Sequence, residues 1–323
     1  MATPYAVFVG TTGQGIWRSQ DGGESWTRLR PALYAETEVR ALAAQPTNPQ
    51  QVYAGTEIGL YASADGGESW REIVSPMRGR EIWSLAISAG DPPTIYAGTR
   101  PSAAFRSWDG GRHWEELAVP LAAECPAVGI PRVTALQIDP LDPESIWLGV
   151  EVDGMRRSRD GGDTWEVIKD GLANPDIHGM AISAGTQKTV FVSTNNEIYV
   201  SDDDGKSWQP LRIRDQFPWA YCRGMAVKPD NPGVIFVGNG DAAAGSTGAV
   251  QRSLDGGKTW SPRPLSEGPN STMWCLATHP SDSSLMFASS IFGQVYRSRD
   301  GGETWQKLPR EFSEIRSLMW VPA

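Results

Sequence analysis

Ser19-Gln20-Asp21-Gly22-Gly23-Glu24-Ser25-Trp26 returns six more times, as residues 63–70, 107–114, 158–165, 201–208, 253–260 and 298–305. From Asp to Asp the steps are 44, 44, 51, 43, 52 and 45 residues. A period of this length marks a repeat architecture and suits one four-stranded propeller blade. The phrase reads Ser-x-Asp-x-Gly-x-Ser/Thr-Trp, with His113 replacing the hydroxyl residue in the third copy. Its chemistry is that of a tight hairpin. Asp and Ser side chains accept hydrogen bonds from backbone N–H groups of the turn, and the glycines supply positive φ. The Trp is expected to begin the next strand and to fill the wedge between neighbouring sheets. Seven of the fourteen Trp residues occupy this one position. Asp202-Asp203-Asp204-Gly205 has the look of a calcium loop, but the EF-hand spacing and its closing Glu are missing. All seven turns are therefore read as structural.

Between the phrases the order is equally regular. A short apolar run comes first, at residues 39–43, 82–86, 133–137, 177–181, 222–226 and 273–277. Most of these meet a turn such as Pro46-Thr47-Asn48-Pro49, Pro140-Leu141-Asp142-Pro143 or Pro229-Asp230-Asn231-Pro232. A second run follows, at residues 52–55, 95–98, 146–149 and 235–238. A third leads into the Asp turn, and a fourth starts at the Trp. Short β-branched and aromatic runs between turn signals, with no long 3.6-residue pattern, predict an all-β chain. The first phrase is preceded only by a second-type run, residues 7–10, whereas residues 315–320 supply the missing first-type run at the other end. Pairing the two would close a ring and remove its free sheet edges. The expectation is a seven-bladed β-propeller of four-stranded antiparallel blades, with residues 1–323 forming a single domain.

These phrases resemble the Asp-box, also called the bacterial neuraminidase repeat, and the resemblance extends over essentially the whole chain. It implies kinship with the photosystem II assembly-factor propellers, the sortilin-type domains and propellers labelled glycosyl hydrolases. Sialidases carry the same box but are less similar, with six blades, boxes in only some of them, and an Arg-Ile-Pro motif near the start. Here the first Arg is Arg18, within the first box region, and no such motif precedes it. The resemblance therefore implies a fold and not a set of catalytic residues.

Composition narrows the partners. The formal charge is −9, from 29 basic and 38 acidic residues. No basic stripe is visible, which argues against nucleic acid. No apolar run reaches membrane-spanning length. The first strand starts within about five residues of Met1, which reads as no signal peptide and a cytoplasmic protein, or an exported one if a leader has been removed. Three Cys residues (Cys125, Cys222 and Cys275) and three scattered His residues suit neither a disulfide framework nor a metal site. Cys222 and Cys275 are expected to be reduced core residues. No phosphate-cradling glycine loop lies outside the turns, and no nucleophile elbow is present. No cofactor is implied. A monomer is expected.

Aligning the seven first-type runs isolates one unusual column. The third position is always small: Ala41, Ser84, Ala135, Gly179, Gly224, Cys275 and Ser317. Blades crowd near the axis, so small residues belong there. The fourth is apolar throughout: Leu42, Leu85, Leu136, Met180, Met225, Leu276 and Leu318. The second is polar or aromatic in every copy: Arg40, Trp83, Thr134, His178, Arg223, Trp274 and Arg316. We expect this column to ring the mouth of the central channel. Glu38, Glu81, Arg132, Asp176, Tyr221, Thr272 and Glu314 should stand just above it. Loop residues Glu57, Arg100, Glu151, Asp153, Asn195 and Asn196 should contribute, with residues 239–248 and 118–132 as candidate lids.

Such a bowl suits a small anionic or carbohydrate-like ligand. Arg pairs with carboxylate or phosphate, and Trp faces suit rings or cations. Arg40, Trp83, Arg132, Asp176, Arg223, Trp274 and Arg316 are the candidate ligand-binding residues. For a cofactor-free hydrolase or lyase, Tyr221 or His178 would carry the proton, Glu81 would be its carboxylate partner, and Arg side chains would stabilise negative charge. A paired-carboxylate glycosidase is a variant of this reading. Two bland alternatives stand beside it. The polar ring is then a plug of ion pairs in a water-filled tunnel, or the protein is a non-catalytic scaffold docking a protein partner on one face.

Overall fold

The computed structural model describes residues 4–29, 36–126, 128–168, 170–185 and 187–323. Seven four-stranded antiparallel sheets make up the fold. We number them as blades in chain order. Their innermost strands are Ile315–Pro322 for blade 1, then Val39–Gln45, Glu81–Ile87, Val133–Asp139, Gly179–Ala184, Tyr221–Lys228 and Met273–Ala277 for blades 2 to 7. The ring closes as the sequence predicts. Ile315–Pro322 pairs antiparallel with Tyr5–Thr11, from Tyr5↔Pro322 to Thr11↔Ile315, so blade 1 is built from both ends of the chain.

Each Asp turn satisfies its own backbone. In all seven the Ser Oγ donates to the Asp carboxylate, at 2.7–3.0 Å, and accepts the N–H of the second Gly. The carboxylate also accepts the backbone N–H four residues on. These bonds, led by the Ser or Thr hydroxyl at that position, hold Asp21, Asp65, Asp160 and Asp203 down to about 2. The second Gly is required twice over. Its φ is positive, and a Cβ would meet an apolar side chain of the preceding blade, such as Leu308 at 2.3 Å from Gly23, Phe8 at 2.5 Å from Gly67 and Phe236 at 2.4 Å from Gly302. In blade 5 the first Gly is replaced by Asp204, which takes φ 68°.

Three details depart from the sequence reading. The Trp sits just before the fourth strand rather than beginning it, and in five boxes its Nε1–H donates back to the carbonyl of the second Gly. The Pro-containing turns are two residues long, since Gln45 pairs with Asn48, Asp139 with Asp142 and Lys228 with Asn231. The blade 5 inner strand starts at Gly179 and not at 177. Ile177 N–H bonds to Pro175 O, and regular pairing begins only after His178 N–H reaches Ser193 O.

Neighbouring blades are joined by apolar packing and by a recurrent arginine. Position 1 of every inner strand is fully buried: Val39, Ile82, Val133, Ile177, Cys222, Met273 and Ile315. Five of them, Val39, Ile82, Val133, Ile177 and Met273, pack over a glycine of the preceding blade where a side chain has no room; a Cβ on Gly55 would lie 2.6 Å from Ile82 Cγ2. At the outer end, the residue before the box Ser is Arg in five blades. Arg18, Arg106, Arg157 and Arg297 donate to the carbonyl of box residues Gly66, Gly161, Asp204 and Gly22 in the following blade, and Arg252 pairs with Glu303. Arg297 reaches from blade 7 to blade 1 at 2.6 Å and is a second fastening of the ring. Ala62 and Val200 occupy the position in blades 2 and 5.

Candidate functional site: the axial bowl

The unusual column owes its direction to a repeated irregularity. In blade 2, Val39 opposes Thr56 and Ala41 opposes Gly55, so Arg40 is an extra residue. The same shift leaves Trp83, Thr134, Trp274 and Arg316 as extra residues, and in blade 6 it falls between Cys222 and Met225. A bulge of this kind re-aims a side chain and breaks the strand alternation. The six residues so re-aimed line one axial cavity of ≈ 350 Å³ together with His178, which precedes the inner strand of blade 5 without a bulge. The small third position fits the expected crowding. A Cβ on Gly179 would sit 2.5 Å from Arg223 O, and one on Gly224 would sit 2.7 Å from Trp274 O. Ser84 Oγ and Ser317 Oγ instead donate to the next blade, at Val133 O and Val39 O.

Four guanidinium groups gather here. Arg40 pairs with Glu38 and lies 3.3 Å from Glu81. Arg132 pairs with Glu151, and Arg316 pairs with Glu314. Arg223 has no carboxylate partner among the described residues. Its Nε donates to Tyr221 Oη at 3.0 Å, and its guanidinium lies 4.0 Å from the Trp274 ring centre. Arg40 and Arg132 both pack on Trp83, at 4.3 and 4.0 Å. Arg316 lies 5.1 Å from Trp274. The indoles expected to offer faces to a ligand ring are therefore already covered by cations. Burial lowers the Arg132 and Arg316 pKa values, Glu151 and Glu314 oppose it, and the other guanidiniums push the same way as burial.

Tyr221 and His178 lie side by side, with ring centres 5.0 Å apart, and Tyr221 stacks on Trp274. Burial raises the Tyr221 phenol. His178 Nδ1 faces Cys222 O and Nε2 faces Asp176 Oδ2, each at 3.1 Å. Burial drives the His178 pKa down against the pull of Asp176. Burial raises the Asp176 carboxyl, but the His178 hydrogen bond and the nearby Arg223 and Arg132 outweigh it and leave the pKa lowered. Asp176 Oδ1 is buried without a hydrogen-bond partner. Glu81 makes its contacts in blade 3 and its neighbour: Trp83 Nε1 donates to it at 3.0 Å, and Arg40 and Arg100 pair with it. The structure thus brings Tyr221 and His178 together and places Glu81 with a different set of partners.

The loop residues divide similarly. Glu151 enters the bowl through Arg132, and Glu57 accepts the Glu38 N–H at 3.0 Å. Asp153 instead fixes Ala122 N–H and Arg156, and Asn195 and Asn196 accept Asn174 Nδ2. Of the candidate lids, residues 239–248 begin and end in strands, and Asp241 ties the bend between them to Ser246 and Thr247. In residues 118–132, Ala127 lies outside the described residues; Pro120 O accepts Arg156 Nε at 2.7 Å, against blade 4. Burial raises the thiol of Cys275 to about 11 and that of Cys222 further still. Among the described residues no cluster of His, Cys, Asp or Glu is grouped to hold a metal ion, and no helix is long and apolar enough to cross a membrane. The bulge and the unpaired state of Arg223 had no sequence signal, because both depend on partners in other segments.

Comparison with known proteins agrees with the fold. No curated protein matches the chain. Among solved structures, YCF48 from Cyanidioschyzon merolae is similar with a TM-score of 0.59 at 17% identity, over 86% of this chain and 86% of that one. The GH74 enzyme of Niastella koreensis gives 0.61 at 15% identity, over 98% of this chain and 68% of that one. YCF48 bound to D1 peptide gives 0.58 at 18% identity, over 97% and 90%. An assembly-factor propeller and a glycosyl hydrolase thus share this architecture, as the Asp-box resemblance implies, and at these identities the likeness is one of fold. The family described as the DUF6242 beta propeller domain matches residues 144–316, more than half of the sequence, and the chain belongs to that family.

Proposed function

We propose that the protein binds a small anionic ligand in the axial bowl, with Arg223 as its principal anchor. The observation that carries this reading is the asymmetry among the four guanidiniums. Arg40, Arg132 and Arg316 each pair with a carboxylate, whereas Arg223 makes no ion pair among the described residues: it contacts a phenol and an indole, and Asp176 feels its charge only at a distance. A cation held in a partly dry cavity beside other cations is stabilised by an incoming carboxylate or phosphate, which it grips in bidentate fashion. The internal ion pairs explain most of the ring as a plug and leave this one position open. Binding is favoured over turnover because burial raises the Tyr221 phenol pKa and holds it protonated, and because Glu81 contacts Arg40, Arg100 and Trp83 rather than Tyr221 or His178. A carbohydrate is favoured only if it is acidic, since the Trp83 and Trp274 rings already carry guanidiniums.

A second reading, docking of a protein partner, draws on a different region. Trp108 in the third box is 53% exposed and Val74 is 89% exposed. Val74 borders a cleft of ≈ 520 Å³ between blades 2 and 3.

Thermal shift against uronic acids, sialic acid, aromatic acids, phosphosugars and a neutral sugar separates the two. A ligand at a hundredfold excess over its Kd stabilises by about 2.7 kcal/mol. The expected result is a shift with an anion, none with the neutral sugar, and loss of the shift in Arg223→Ala with little change in the melting temperature of the free protein. If no anion shifts the protein, the bowl reading fails and the docking reading is left.

A further inference from the structure

Beneath the charged ring the channel changes character within two residues. The cavity that touches Arg40, Arg223 and Arg316 also touches the whole fourth-position column of Leu and Met. Leu42, Leu85, Met225 and Leu276 are only partly buried. Between the two rings lie the small third-position residues, which keep side-chain bulk away from the axis. A second cavity of ≈ 400 Å³ lies further along the same strands, lined by Ile138, Ile182, Val227 and Met319 among others. Its lining contains no Asp, Glu, Lys or Arg among the described residues. Gln137, Met225, Leu276 and Leu318 line both cavities and so form the wall they share. Arg223 therefore stands at the charged mouth of a passage whose further lining carries no charged side chain and is mainly Leu, Met, Ile, Val and Ala, with the polar Gln137 and Thr278 among them. From the Arg ring to Ile138 is four residues along an inner strand, roughly 13 Å at the usual rise.

A tunnel through a plugged propeller has no need of an apolar lining, since water meets few partners there. Apolar surface held open next to a charged mouth fits a ligand of the same polarity pattern. We propose that the anion bound at Arg223 carries an unbranched aliphatic chain, which runs down the axis past Gly179 and Gly224 and is covered by the Leu and Met ring. The ligand class is an amphiphilic carboxylate or phosphate. This deepens the bowl reading above and rests on it. The head group supplies the carboxylate that Arg223 lacks, and the chain replaces water against Leu276 and Met225. Each methylene moved from water into such a lining tightens binding by up to about fourfold.

The test is calorimetric titration of the whole protein with acetate, hexanoate, octanoate and decanoate below their micelle concentrations, with octyl phosphate and decanol as controls. The expected result is affinity that rises more than tenfold from hexanoate to octanoate, comparable binding of octyl phosphate, and weak binding of decanol. Leu276→Gln should cut decanoate affinity at least tenfold and leave acetate unchanged, whereas Arg223→Ala should weaken every acid. The chain-length series on the unaltered protein decides the matter even if a variant misfolds. Acids that bind with no gain from chain length overturn this inference and spare the bowl. Decanol binding as tightly as decanoate overturns the assignment of the head group to Arg223. Failure of every aliphatic acid and of octyl phosphate overturns this inference, and the bowl reading then stands or falls on the thermal-shift panel above.

Discussion

Removing residues 314–323 takes the innermost strand from blade 1 and reopens the ring. The loss can be estimated from what that strand buries. Ile315 is 0% exposed, Leu318 8%, Trp320 3% and Val321 3%. Burying an aliphatic side chain of this size contributes about 1.5–3 kcal/mol, and losing a buried Trp costs about 3–5 kcal/mol. The sum is on the order of 10 kcal/mol, comparable with the whole stability of a typical folded protein, about 5–15 kcal/mol. The deletion also strips Phe8, Val7 and Val9 of a neighbour, frees the edge of Tyr5–Thr11, and breaks the Ser317 contact to blade 2. An unpaired hydrophobic edge is an aggregation site. The truncated chain should therefore show no cooperative calorimetric transition at the full-length temperature and should elute as aggregate on size exclusion. Adding the synthetic peptide 314–323 should restore part of the transition. A truncated chain that melts like the intact one would refute the closure described here.

Other outcomes follow from the same geometry. Arg297→Ala removes a charged hydrogen bond across the seam between blades 7 and 1 and should cost about 1–2 kcal/mol in urea unfolding; an unchanged midpoint would count against the arginine fastening. The Asp65 carboxyl is lowered on folding from 3.8 to about 2. A group with a depressed folded pKa stabilises above its unfolded value and loses that contribution as pH falls through the folded one. Stability should accordingly fall between those two values, and Asp65→Asn should make the melting temperature less steep with pH in that window; an unaltered slope would mean the turn hydrogen bonds do not perturb the carboxyl. Gly179→Ala places a Cβ 2.5 Å from Arg223 O. It should cost about 1–3 kcal/mol and blunt any anion response, and a fully stable variant would show that the backbone around Arg223 is looser than drawn.

Much of this architecture was legible because the chain repeats itself. Seven aligned copies let position 1, always apolar, be told from position 3, always small, without knowledge of partners. The absence of a first-type run before residue 7 and its presence at 315 revealed the closure for the same reason. What could not be read depends on pairing between segments. The bulge at Arg40, Trp83 and Trp274 is a mismatch of two strands, and each strand alone looks regular. The pairing of Arg132 with Glu151 and the isolation of Arg223 follow from which loop reaches over which blade. The inter-blade role of Arg18, Arg106, Arg157, Arg252 and Arg297 was hidden in a column that reads as ordinary solvent-facing sequence. The Leu and Met column was visible, but its exposure to the channel was not.

That arginine column has a mechanical corollary. Ala62 and Val200 leave the outer rim of the seams between blades 2 and 3 and between blades 5 and 6 without this arginine tie, and among the described residues the first of them keeps only the Arg40–Glu81 ion pair near the axis. The cleft of ≈ 520 Å³ lies at the first of these. The wheel is thus divided into one arc of blades 3 to 5 and another running from blade 6 through 7 and 1 to 2. Under pulling force, or in the slow breathing that amide exchange reports, it should part along those two lines first and keep each arc whole.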